Sequence, residues 1–208
     1  MTGGGGAREV AGTVAVAHAR RSLPWALAAF IGTMIIIIVL LMLAASPPAT
    51  AEQQPSRIAQ VLSGAYKQIG ATLYYDGRYR SIPFPGGDVP IERGVCTDVI
   101  VRAYRQAGID LQLLINQDMS RAFASYPPLW GLYQPDPNID HRRVPNLATF
   151  FKRHGQTVSV SFRPLDYRAG DLVTWRLPSG VPHIGIISDR LQNGKPLVIH
   201  NIGAGGPK

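Results

Sequence analysis

Between Leu23 and Ala45 the sequence LPWALAAFIGTMIIIIVLLMLAA carries no charged residue, and no other stretch limits the chain as much. At about 1.5 Å per residue, a helix of that length spans a hydrocarbon core of roughly 30 Å. Isoleucine and leucine cover every helical face, which argues against an amphipathic helix of an ordinary domain core. Arg20 and Arg21 precede the run and no basic residue follows until Arg57. The positive-inside rule therefore puts the N-terminus in the cytoplasm and everything after Ala45 outside. Ala49-Thr50-Ala51 fits the small-residue cleavage pattern of a signal peptide, while the length of the apolar run fits a retained anchor. The expected location is extracytoplasmic, either tethered to the membrane through residues 23–45 or released after Ala51.

The same run divides the chain. Residues 1–22, with Gly3 to Gly6, lack periodicity and read as a disordered cytoplasmic tail. Residues 46–55, with Pro47, Pro48 and Pro55, read as a linker, and residues 56–208 as one domain long enough for a core. Ile58, Leu62, Ala65 and Ile69 recur at helical spacing ahead of Gly70; Val99, Ile100, Ala103 and Ala107 do so ahead of Gly108. A third helix is expected within 110–126, and a fourth from Pro145 to Gly155 buries Leu147, Phe150 and Phe151. Residues 74–94 hold too many prolines and glycines for a regular element. Short strand-like runs follow at Thr157–Ser161, Asp171–Trp175, His183–Ser188 and Leu197–Asn201. Helices first and strands afterwards predict an α+β domain with an antiparallel sheet.

Composition adds mainly exclusions. One cysteine rules out an internal disulfide framework and any zinc site with two thiolates. The net charge of +8 is scattered without a basic patch, so nucleic acid is not an expected partner. No phosphate-binding glycine motif is present, and no cofactor is expected. The cysteine itself, Cys96, follows Gly94-Val95 and opens a predicted helix, where the exposed N–H groups favour thiolate. Its bland reading is a small buried hydrophobe.

A thiol nucleophile needs a base, usually histidine. His183 begins the strand HIGIIS, with Gly185 leaving space for close backbone approach, and His200 ends LVIHN. A hairpin turning at Asn193-Gly194 places both histidines on one face, but a strict two-residue turn sets His183 opposite Ala204 and leaves His200 about 13 Å along at ~3.3 Å per residue. A longer loop around Arg190–Asn193 is therefore expected, with His200 orienting the His183 ring. Asn201 is the rival third member, though its parity assigns it to the other face.

GVCTDVIVRAYRQAGIDLQ, NIDHRRVPNLATFF, AGDLVTWRLPSGVPHIGIISDR and LVIHNIGAG, in that order, resemble the bacterial domain of unknown function 1287 over nearly all of residues 56–206. The combination of a helix-opening Cys, Gly-Asp-Leu-Val, His-Ile-Gly-Ile and a later His is similar to the NlpC-type branch of papain-like cysteine peptidases. That resemblance implies a papain-like fold, hydrolysis of amide bonds in cell-wall peptides, and a Cys96 nucleophile with His183 as base and His200 as third residue. Gly170 and Asp171 would then be structural. The sequence departs from the NlpC pattern at Val95-Cys96-Thr97-Asp98, where Asp-Cys-Ser-Gly is usual, and against the family's usual length a closing strand after Gly206 is expected to be missing.

Five more residues are candidate substrate contacts. Tyr75 would line the groove or pack in the core; Asp98 would bind an amine or simply complement the helix dipole. His141, Arg142 and Arg143 would clamp a carboxylate or belong to a solvated loop. Rival functions are a non-catalytic cell-envelope binding protein on the same fold, a thioester or lipid acyl hydrolase or transferase, and a metal site of Cys96, His183 and His200. Oligomeric state is left open.

Overall fold

The computed structural model describes residues 55–203, 207 and 208, together with the backbone of Val14 and Ala15. The expected tail, membrane segment and cleavage site otherwise lie outside the described residues. Among these, no helix is long and apolar enough to cross a membrane. Residues 56–208 fall in one compact unit, and a second unit covers 19–55, of which Pro55 alone is described.

The architecture is α+β. Strand β1 (Val14–Ala15) pairs antiparallel with β4 (Thr157–Val158). Helix α1 (Arg57–Tyr66) is capped by Ser56, whose hydroxyl accepts from the Ala59 N–H at 3.2 Å. It ends one turn earlier than the apolar spacing predicts, and Ile69 lies exposed in the turns that follow. Within the proline-rich segment, β2 (Tyr74–Tyr75) and β3 (Arg93–Gly94) form a short parallel pair that closes the loop between them. Helix α2 (Cys96–Gln106) follows at once, then α3 (Leu111–Ala122), capped by Asp110, and α4 (Val144–His154), with Pro145 in its first turn.

The main sheet is antiparallel in the order β5 (Leu172–Arg176), β6 (Pro182–Gln192), β7 (Lys195–Ile199). Val99, Ile100 and Ala103 of α2 join Leu172, Ile184, Ile186 and Ile199 of the sheet in a single apolar core. The expected strand at 157–161 stops after Val158. Side chains hold the chain beyond it: the Tyr167 hydroxyl bridges the Ser161 N–H and C=O at 3.1 and 2.9 Å.

The expected longer loop between the histidine strands does not form. Asn193 and Gly194 make a two-residue turn with positive φ at both positions (52° and 72°), and Gln192 pairs with Lys195. The slip occurs inside the strand instead: pairing resumes as Ile187 with Val198 and Ile186 with Ile199, so residues 188–190 bulge against Leu197 alone. The Ser188 hydroxyl secures the bulge by accepting from the Arg190 N–H at 2.9 Å. Because β6 gains two residues over β7, face parity survives.

Candidate active site

Continuing that register sets His200 against Gly185, diagonal to His183. A Cβ on Gly185 would lie 2.5 Å from Val198 Cγ1 and 3.1 Å from His200 Cβ, so only glycine admits this approach. The two imidazoles meet with His183 Nε2 and His200 Nδ1 3.2 Å apart. Trp175, paired with His183 across β5 and β6, packs edge-on against both rings, with centroids 4.7 Å from His183 and 5.4 Å from His200. Burial, and then the proximity of His200, pushes the His183 imidazole down to about 4. Burial followed by Lys208, which exchanges backbone hydrogen bonds with His200, lowers His200 as well. Both rings are therefore neutral at pH 7. Trp175 was not singled out from the sequence; a five-residue hairpin loop centred on Ser179 would have put it on the His183 face.

Cys96 opens α2 as expected, but it is 3% exposed and sits in the core cluster. Burial pushes its thiol up, against the thiolate character expected of a helix start; the Ile184 N–H, the Tyr75 hydroxyl and the Thr97 N–H pull the other way. Tyr75, raised to about 12 by burial and then by Cys96, has its hydroxyl beside the sulfur. Cys96 thus reaches the backbone of the residue after His183. A hydrogen bond joins histidine to histidine, while Tyr75 and the Ile184 N–H lie close enough to the sulfur to lower its thiol; among the described residues no hydrogen bond joins Cys96 to His183. Nor, among the described residues, do three His, Cys, Asp or Glu side chains converge as a metal site requires.

A pocket of about 230 Å³ opens at Cys96, with Tyr75, Gly77, Trp130, Arg143 and Pro182 among its walls. Asp98 and Arg142 are both buried and spend their charges on each other through two bonds of 2.9 Å. Asp98 also accepts from the Val95 N–H at 2.6 Å, closing the first turn of α2. Arg142 further donates to the backbone oxygens of Asp76 and Arg78 at 2.9 and 3.2 Å, so this pair holds the pocket wall to the helix. His141 is buried and pushed down to about 4 by burial, and it does not line the pocket. Arg143 does; it pairs with Asp140 at 2.8 Å and stacks 4.0 Å over Trp130.

The remaining candidates are placed by packing. The Gly170 N–H donates to the Ile187 carbonyl at 2.8 Å, and a Cβ there would meet Ile58 at 2.9 Å. Asp171 accepts from the Arg168 N–H at 2.8 Å. Asn201, fully buried, donates to the Gly94 carbonyl at 3.1 Å and so braces the loop entering Cys96. Sequence reasoning missed Asp76, on which Arg78, Arg80 and Arg93 converge. Its Asp-Gly-Arg-Tyr-Arg context is the signal that was available.

Comparison with known proteins supplies a family and no activity. The family model "Domain of unknown function (DUF1287)" matches residues 62–208. Over 146 residues, 70% of this chain and 71% of the relative, the sequence is 57% identical to "Uncharacterized protein YijF" of Escherichia coli (strain K12). No solved structure matches the chain.

Proposed function

The chain belongs to the DUF1287 family, and from that premise we propose an exported thiol hydrolase of papain-like, NlpC-type arrangement that cleaves amide bonds in cell-wall peptides. The observation that carries this reading is the His183–His200 pair, held at 3.2 Å on the strand whose next N–H meets the Cys96 sulfur. His200 engages Nε2 of His183 and leaves Nδ1 as the nitrogen to take the thiol proton. With the thiol raised by burial and His183 near 4, the resting pair is neutral. Because no hydrogen bond joins Cys96 to His183 directly, the proton moves to His183 through one bridging water as sulfur attacks the carbonyl, in general-base fashion rather than from a preformed thiolate. The Tyr75 hydroxyl and the N–H groups beside Cys96 are the donors for the developing oxyanion. Collapse breaks the C–N bond and returns the proton from His183 to the departing amine. Water then hydrolyses the thioester.

Incubating the purified chain with peptidoglycan, and comparing it with Cys96→Ala, tests this. Mass spectrometry is expected to find new amine and carboxyl ends with the wild type alone. Equal product from both overturns the reading, and no product from either overturns it in favour of a binding protein on the same scaffold, which the burial of Cys96 supports. Location is tested separately. Sequencing the N-terminus of the mature protein decides whether residues 1–51 persist.

A further inference from the structure

Resting on the hydrolase reading, we propose that Arg80 and Arg93, arranged around Asp76 beside the Cys96 pocket, form an anion subsite for a substrate carboxylate near the scissile amide. Asp76 is 7% exposed and receives three guanidiniums: Arg78 through Nε and Nη2 at 3.0 and 2.9 Å, Arg80 at 3.0 Å and Arg93 at 3.3 Å. Hydrogen bonds from Arg78, followed by those from Arg80, hold the Asp76 carboxyl well below the usual range, so it stays charged. One carboxylate then faces three guanidinium charges. The nearby Arg142 does not alter the balance because Asp98 neutralises it. Even with the exposed Glu92, which precedes Arg93, set against the cluster, positive charge remains in excess.

The three arginines are not equivalent. Arg78 commits two nitrogens of its fork to Asp76. Arg80 and Arg93 commit one each, and their side chains are 36% and 37% exposed, so further donors remain for a planar carboxylate. The Arg93 guanidinium also lies 5.3 Å over the Tyr74 ring, which orients it. Tyr75 and Gly77, on either side of Asp76, both line the Cys96 pocket, so the cluster occupies the same short segment on the side next to that wall. The Asp76 N–H donates to the Gly94 carbonyl at 3.1 Å, two residues before the nucleophile. The proposed subsite therefore takes a carboxylate on a part of the peptide that extends past the pocket rather than one inside it.

The test is calorimetric binding to the full chain carrying Cys96→Ala, which is independent of turnover. The probes are an acidic peptidoglycan stem peptide and the same peptide with its carboxylates converted to amides. The acid is expected to bind at least about tenfold more tightly. Arg80→Gln combined with Arg93→Gln should lower its affinity to that of the amide and leave amide binding unchanged; Arg78 still pairs Asp76, and an unaltered melting temperature checks the fold. Equal affinity of acid and amide, persistence of the preference in the double variant, or binding of neither peptide overturns the subsite. Carboxylate preference without turnover by the wild type would sink the hydrolase reading alone.

Discussion

The two faces of the β5–β6–β7 sheet use alternate residues of the same strands for opposite purposes. On one face Leu172, Ile184, Ile186 and Ile199 are at most 2% exposed and belong to the core that includes α2. On the other, Trp175, His183 and His200 form a polar and aromatic cluster, with Trp175 and His200 bordering a cavity of about 800 Å³ that Val173, Ile187 and Val198 also line. Neighbours in sequence, Ile184 and His183, therefore answer to different selective physics: one to burial, the other to ring geometry. The difference teaches that this sheet is a divider as much as a support. The thiol meets its edge through a backbone N–H, while the imidazole pair is assembled behind.

Changes to the two faces should separate stability from chemistry. The largest expected effect is on the core face, where Ile186→Ala removes a side chain with no exposure. It should cost about 2–5 kcal/mol and lower the melting temperature accordingly, measured by calorimetry, while the imidazole resonances keep their mutual contact. Gly185→Ala, on the histidine face, should cost about 1–3 kcal/mol by overpacking against Val198. Unlike Ile186→Ala, it should also part the histidines, read as loss of the cross-ring contact by NMR; unchanged ring contact would show that the glycine is not what admits His200.

A third expected effect is a pH dependence. His183 has a folded value near 4 against 6.5 for the free side chain, and below 6.5 the unfolded chain takes up a proton that the folded chain refuses. Its stabilising contribution is thus complete above about 6.5 and is lost as pH falls toward 4. His141 acts in the same window from its own buried site. The melting temperature should drop by several degrees across it, and His183→Gln should flatten part of the decline. A decline identical in the variant would assign the whole effect elsewhere.

Much of this was legible before any coordinates. Cys96 begins α2 because Gly94-Val95 leads into an apolar helical spacing that Gly108 terminates. Both histidines share a face because a two-residue turn preserves parity. The register was not legible, since a bulge held by the Ser188 hydroxyl inserts residues into β6 without disturbing the turn that signals the hairpin. The same holds for Asp98 and Arg142. Locally Asp98 reads as a complement to the helix dipole and Arg142 as part of a charged loop, and only the packing of the 140–142 turn against α2 makes them a closed pair.

The linear sequence, by residue type and spacing, determined which side chains are chemically competent: one thiol, two strand histidines of matching parity, and a glycine between them. Tertiary structure decided what surrounds them, because burial and partnership depend on contacts between distant segments. It raised the thiol that the helix start alone would lower, turned Asp98 and Arg142 inward, and gathered three arginines on Asp76, which local composition presents only as a charged loop.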